Sequence, residues 1–266
     1  MRYRADVLKV ASKENWQTTR RRWSRWHYNE LMLTISCKGL LADMDGVLVD
    51  STPAVARVWT RWARKHNLDP DSTVQYAHGR TSLASIQELL PLADLAAHLA
   101  ENAWMERAEI EDVADVVALP GAKELLAALA PGQLAVVTSA TRALAEVRLR
   151  AAGLWDHVHR LVTASDIQHG KPDPEPYLKG AAALHLAPQD CVVIEDAPSG
   201  TRSGKAAGSR VLAVRTTTAD APLFAAGADW IVNDCSALRL AHNNSHPQNI
   251  ALEFAVNTPP REPKMR

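Results

Sequence analysis

Apolar residues along this chain follow two rhythms. Short apolar runs end at Asp43, Thr138, Val162, Glu195 and Val214, while apolar positions recur every three or four residues over about 121–130, 141–152, 174–186 and 198–207. The runs read as strands buried on both faces and the periodic stretches as helices. Their strict alternation predicts a doubly wound α/β core built on a parallel sheet with crossover helices. Leu33-Thr34-Ile35 reads as the opening of the first strand.

One segment breaks the alternation. Between about 52 and 118 there is no strand candidate, and several amphipathic helices are expected instead. Ser51 or Thr52 offers an N-cap and Pro53 suits a first turn; Val55, Val58, Trp59 and Trp62 then share one helical face. Thr81 or Ser82 announces a second helix carrying Leu83, Ile86 and Leu90 before Pro91 stops it. An all-helical insertion that leaves after one strand and returns before the next is placed to cover the sheet's carboxyl edge.

Composition narrows the ligand. The 266 residues are 47% hydrophobic and carry 30 basic against 30 acidic residues, so a small solute is expected rather than nucleic acid or an anionic membrane. Residues 1–31 differ, with eight basic residues against three acids and Trp16, Trp23 and Trp26 among them. They read as an extension ahead of a start at Met32, and residues 237–266 as a C-terminal tail. Cys37, Cys191 and Cys235 are too few and too scattered for a disulfide framework, which fits a reducing cytoplasm. No apolar run approaches the roughly 20 residues of a membrane-spanning helix.

The chemistry concentrates at the ends of the apolar runs. Leu40-Leu41-Ala42-Asp43-Met44-Asp45-Gly46 ends a strand in two carboxylates one residue apart, followed by a glycine that permits a sharp turn. Alone, this pattern fits a calcium loop or a solvated turn as well as a catalytic site. Three partners follow in order: Leu134-Ala135-Val136-Val137-Thr138 ends in a hydroxyl, Gly170-Lys171-Pro172-Asp173-Pro174 holds a lysine in a proline-stiffened loop, and Cys191-Val192-Val193-Ile194-Glu195-Asp196 ends in adjacent acids. Two carboxylates closing an apolar strand are costly unless a cation compensates them.

Together these four motifs resemble those of the haloacid dehalogenase superfamily, and the resemblance runs from about Leu33 to Val232. It implies a Rossmann-like core over 32–51 and 119–236 with a helical cap over 52–118. It also implies that Asp43 attacks phosphorus to form an aspartyl-phosphate, that Asp45 is the acid and base, and that Thr138, Ser139 and Lys171 hold the phosphoryl group. The implied cofactor is Mg2+, held by Asp43, Asp196 and the backbone carbonyl of Asp45, with Glu195 binding directly or through water. Asp50-Ser51-Thr52-Pro53-Ala54-Val55 leading to Trp59, His78-Gly79-Arg80-Thr81, Val137-Thr138-Ser139-Ala140 and Glu195-Asp196-Ala197-Pro198-Ser199-Gly200 resemble the sugar and polyol phosphatases more narrowly. The substrate expected is therefore a small phosphorylated sugar or polyol, met in the cap by His78 and Arg80 and hydrolysed by a monomer.

The alternatives are a phosphoglycolate phosphatase, a phosphotransfer enzyme of the beta-phosphoglucomutase type, or a catalytically silent binding module. Val55 stands where that mutase has a histidine that helps direct the acid, which argues against mutase chemistry. Ala42 stands where relatives usually have phenylalanine, a difference of packing. His157, His159 and His169 show no ligand-like spacing.

Overall fold

Successive residues of a strand point to opposite sides of the sheet, and in this protein that alternation divides the hydrophobic core in two. The structure, a computed structural model, describes residues 30–78, 80–241 and 249–257. Strands β1 (Glu30–Cys37), β2 (Gly39–Ala42) and β3 (Val49–Asp50) precede four helices, α1 (Thr52–Lys65), α2 (Pro70–Ala77), α3 (Ser82–Leu89) and α4 (Leu95–Glu111). Then come β4 (Val117–Ala118), α5 (Ala122–Ala128), β5 (Leu134–Val137), α6 (Arg142–Ala151), β6 (Leu161–Val162) and α7 (Glu175–Ala183). The chain continues through β7 (Cys191–Glu195), α8 (Pro198–Ala206), β8 (Arg210–Val214), α9 (Asp220–Ala225), β9 (Trp230–Val232), β10 (Arg239–Ala241) and β11 (Ile250–Asn257).

Six strands form a parallel sheet in the order β6-β5-β2-β7-β8-β9. The chain winds outward from β2 through β5 to β6, then returns to β7 on the other side of β2. The reversal of strand order therefore lies beside β2, and open sheets bind ligands beyond the strand carboxyl ends at such a reversal. Leu40 and Ala42 pack with Leu125 and Leu126 of α5 and Leu144 and Leu149 of α6, while Leu41 joins Tyr177 and Ala181 of α7 on the opposite face. Strand β2 is buried along its whole length, which explains its unbroken apolar character.

Helices α1 to α4 share a core of their own, with Val58, Trp59 and Trp62 of α1 packed among Ala77, Ile86 and Met105. Local chemistry sets their starts: the side chains of Asp69, Thr81 and Asp94 accept from Ser72, Ala84 and Ala97 backbone N–H groups at the N-termini of α2, α3 and α4. Ser51 is the N-cap residue of α1 but makes no side-chain cap bond; its hydroxyl is engaged elsewhere. The segments entering and leaving this helical unit pair with each other, β3 antiparallel to β4. Arg57 of α1 reinforces the return through Asp112 at 2.6 Å and Asp115 at 2.7 Å.

Three sequence expectations are corrected. Leu33-Thr34-Ile35 does not open the central strand but lies in β1, which forms a separate three-stranded sheet with β11 and β10. The pattern itself changes there, because Ile35 and Cys37 alternate with exposed Thr34 and Ser36 whereas Gly39–Ala42 is wholly buried. The segment 52–118 contains one short strand, β4, at its end. Residues 237–266 are not merely a tail: β10 pairs antiparallel with β11, and Ile250, Leu252 and Phe254 enter the main core. The arm at 1–29, the expected turn at Gly79 and residues 258–266 lie outside the described residues. Among the described residues, no helix is long and apolar enough to cross a membrane.

Phe254 is fully buried and its ring meets Trp230 at a centroid distance of 5.8 Å. Phe254→Ala should cost about 3 to 5 kcal/mol in urea unfolding, whereas Leu92→Ala, at a fully exposed position, should stay within about 0.5 kcal/mol. A small loss from Phe254→Ala would show that β11 contributes little to the core.

Candidate active site

Every strand-end motif read from the sequence arrives at one edge of the sheet. Ala42 pairs with Val136 on one side and Ile194 on the other, and Asp43, Thr138 and Glu195 therefore emerge as neighbours. The backbone N–H of Asp43 still donates to Ile194 at 3.0 Å, which fixes the carboxylate to the end of the sheet. Asp43, Asp45, Thr138, Ser139, Lys171, Glu195 and Asp196 all line one cavity, with His78 and Arg80 in its helical wall. Its volume of about 480 Å³ is in the range of small-molecule sites.

Lys171 organises the floor. Its buried ammonium donates to Asp43 Oδ1 at 2.9 Å, Glu195 Oε1 at 2.7 Å and the Val137 carbonyl at 3.2 Å, so all three protons have acceptors. Burial works against its charge, but the carboxylates of Asp43 and Glu195 more than offset this and raise its pKa. Glu195 is fully buried and takes four donors: Lys171 and the Tyr177 hydroxyl on Oε1, and the Asp196 and Ala197 N–H groups on Oε2. Burial, and then the charge of Glu195, push the Tyr177 phenol well above its ordinary value, which keeps it a donor.

Asp43, Glu195 and Asp196 bring ligand oxygens within 4.8 Å of one another. Burial, followed by the neighbouring carboxylates, raises Asp196 well above the usual range, and burial opposed by Lys171 pushes Asp43 up to about 7. A set of buried oxygens short of positive charge fits a hard divalent cation. Two glycines allow this crowding. Gly46, at φ +79°, would place a Cβ 2.1 Å from Asp196 Oδ2, and a Cβ on Gly200 would fall 1.6 Å from Glu195 Oε1.

The second aspartate sits apart from that cluster. Asp45 accepts from Ser51 Oγ at 2.5 Å on Oδ1 and from Arg148 Nη1 at 3.1 Å on Oδ2. Thr138 Oγ1 accepts from the Ala140 N–H at 3.1 Å, tying the hydroxyl to the turn after β5. Ser139 is half-buried at the same turn.

The helical wall meets the floor at three points. His78 Nε2 lies 3.0 Å from Thr217 Oγ1, and the same hydroxyl hydrogen-bonds Asp196 Oδ2. Burial lowers the His78 pKa, so the ring is held toward its neutral form. Thr141 Oγ1 donates to Glu106 of α4 at 2.5 Å. Arg148 Nη2 approaches Glu109, also of α4, at 3.5 Å. Arg80 is exposed at the rim, stacked 4.4 Å from the Tyr76 ring centroid and bonded to its hydroxyl at 2.6 Å.

Sequence reasoning missed Ser51, Glu106, Glu109, Arg148, Tyr177 and Thr217. A signal existed for two of them: Arg148 shares a helical face with the buried Leu144, Ala145 and Leu149, and Glu109 lies one turn from Met105. A charge on the apolar face of an amphipathic helix is expensive unless it is paired at a site. His157, His159 and His169 are absent from the cavity wall.

Comparison with known proteins agrees with this geometry. The sequence profile of the haloacid dehalogenase-like hydrolases matches residues 37–208. Hexitol phosphatase A of Escherichia coli (strain K12) is 44% identical over 188 residues, covering 70% of this chain and 86% of its own. Glycerol-1-phosphate phosphohydrolase 2 of Saccharomyces cerevisiae is 31% identical over 84% of this chain and 92% of its own. Among solved structures, a HAD family hydrolase from Deinococcus radiodurans R1 with bound phosphate and sodium is 27% identical with a TM-score of 0.56, covering 75% of this chain and 92% of that one. With the acids, threonine and lysine of all four motifs gathered at one sheet edge, the chain belongs to the haloacid dehalogenase-like hydrolases.

Proposed function

We propose that this protein is a Mg2+-dependent phosphatase that hydrolyses a small phosphorylated sugar or polyol through an aspartyl-phosphate on Asp43. The observation that carries the reading is the position of the two aspartates. Asp43 is fixed at the end of β2 beside a lysine that compensates negative charge, and Asp45 stands two residues on, with hydroxyl and guanidinium partners rather than that lysine.

Asp43 attacks phosphorus, and the bond to the leaving oxygen breaks. Asp45 gives that oxygen a proton, then takes one from the water that cleaves the acyl phosphate. Thr138, Ser139 and Lys171 line the position of the phosphoryl oxygens, where donors stabilise charge in transfer. Mg2+, held by Asp43, Asp196 and the Asp45 carbonyl with Glu195 behind them, would supply positive charge for the same oxygens. Tyr177 and Lys171 keep Glu195 in place.

The leaving group faces the helical wall. Asn102 and Glu106 of α4 and Gln168 of the core offer neutral and acidic hydrogen-bonding groups there. Such groups suit the hydroxyls of a sugar or polyol. The relatives named for hexitol and glycerol phosphates point the same way. Three buried free thiols, Cys37, Cys191 and Cys235, fit a reducing compartment such as the cytoplasm.

A panel of hexitol, hexose and glycerol phosphates, assayed with Mg2+ for phosphate release, tests the reading directly. Turnover should disappear on chelation and return with added Mg2+, and Asp43→Asn should lower kcat by about a thousandfold or more while melting near the wild type. Phosphate release by Asp43→Asn at the wild-type rate would overturn the mechanism.

Gly46→Ala forces a methyl group against Asp196. The Mg2+ concentration for half-maximal activity should rise about tenfold or more, the scale on which disturbing groups around a metal site acts. An unchanged Mg2+ requirement would remove Asp196 from the metal site.

A further inference from the structure

Arg148 is a cation buried to 4% exposure in the wall of the cavity. It comes from α6 of the core, and its two ionic partners come from different parts of the protein: Asp45 from the loop after β2 and Glu109 from the last turn of α4. Only Nη1 makes a hydrogen bond, at 3.1 Å to Asp45; the 3.5 Å approach of Nη2 to Glu109 is ionic, and neither Nη2 nor Nε has a hydrogen-bond acceptor among the described residues. An arginine buried for stability alone has five donors to satisfy, and this one leaves most of them unmet beside the reacting groups. Ser51, the other partner of Asp45, likewise gives up the capping bond its position offers. Two donors are thus committed, at a cost to local stability, to the carboxylate of Asp45.

We infer that Arg148 is a positioning residue for Asp45, and that Glu109 sets the place of Arg148 from the helical cap. With Ser51 on Oδ1 and Arg148 on Oδ2, the plane of the carboxylate is fixed from both ends. Glu109 belongs to the unit that covers the leaving group, so the alignment of the acid depends on the cap being seated. Glu106, three residues and so about one turn before Glu109, accepts from Thr141 of the core and holds the same stretch of α4 down.

The inference rests on the phosphatase reading, and leaving-group dependence separates the two. An alkoxide needs a proton from Asp45 to depart, whereas 4-nitrophenolate does not. With the full chain and Mg2+, kcat/KM is measured for glycerol 3-phosphate and 4-nitrophenyl phosphate in the wild type, Arg148→Met, Arg148→Lys and Glu109→Gln. Arg148→Met should lower the alkyl-to-aryl ratio of kcat/KM by about tenfold or more, part of the roughly hundredfold or greater effect that general acid catalysis supplies. Arg148→Lys should restore part of that ratio, and Glu109→Gln should lower it less than Arg148→Met. Folded variants that lose both substrates by the same factor, or keep the wild-type ratio, overturn the inference by showing a merely structural arginine. Should Arg148→Met fail to fold, Arg148→Lys and Glu109→Gln, which keep charge or volume, decide the matter on the same ratio. Where another ester of the panel is turned over faster than glycerol 3-phosphate, the ratio is taken on that ester, and a wild type that releases phosphate from none of them refutes the phosphatase reading and the inference with it.

Discussion

The ammonium of Lys171, enclosed between Asp43 and Glu195, is the contact on which the rest of the site depends. Three carboxylates converge at the carboxyl edge of an apolar sheet, and a single buried ammonium stands among them. Removing a buried charge from its partner costs several kcal/mol, because the remaining ion cannot return to water. The loop carrying Lys171 is therefore bound to the ends of β2 and β7, and Tyr177 of the following helix closes over Glu195 at 2.7 Å. The pair does not neutralise the cluster. Asp196 stays raised well above its usual range by burial and by its acidic neighbours, and an oxygen-seeking cation would complete the balance that the lysine begins.

A second, separate ionic system serves Asp45. Lys171 reaches Asp43 but Arg148 reaches Asp45, so the two aspartates, one residue apart, answer to different cations. Each sits in its own surroundings: one carboxylate shares a lysine with a buried glutamate, the other shares an arginine with a glutamate of the helical cap. Pairs of titratable groups with divergent environments are how one fold assigns distinct chemical tasks to like residues. The turn at Gly46 makes the separation possible, since the backbone leaves the sheet within three residues of Asp43.

Much of this was legible in the sequence, for a physical reason. Parallel strands buried on both faces must be apolar along their length, so the runs ending at Asp43, Thr138, Glu195 and Val214 announced themselves, and so did the polar residues that ended them. β1 was harder because it buries alternate residues only, and β11 because it enters the core from beyond the last parallel strand. With weaker patterns to read, Leu33–Ile35 went to the wrong strand and the residues after 236 to a tail. Arg148 and Glu109 were hidden for the opposite reason. A charge in a helix is ordinarily solvated, and although the spacing of α6 puts position 148 on its apolar face, nothing local tells that it meets a residue 103 positions earlier in the chain. Ser51 was legible as an N-cap residue but not as the partner of Asp45, because the competition between those two bonds is settled only when the loop after β2 folds back.

The three contacts between helical cap and core fall on different parts of the chemistry. His78 reaches the hydroxyl that bonds Asp196, Glu109 reaches the arginine that bonds Asp45, and Glu106 bonds Thr141 just past the Thr138 turn. In the proposed mechanism, seating the helical unit would therefore touch the acid assigned to the metal, the acid assigned to proton transfer and the edge of the phosphoryl position together. A cap that merely excluded water could rest on the core through apolar side chains, which tolerate sliding. The hydrogen bonds made by His78 and Glu106 do not, and each is satisfied at one docking position, while the ion pair of Glu109 with Arg148 adds attraction under looser geometry. Under the proposed function, recognition of the leaving group and alignment of the reacting groups would in this way be consequences of the same docking, and a core indifferent to what the phosphate is attached to would acquire a preference in rate as well as in binding.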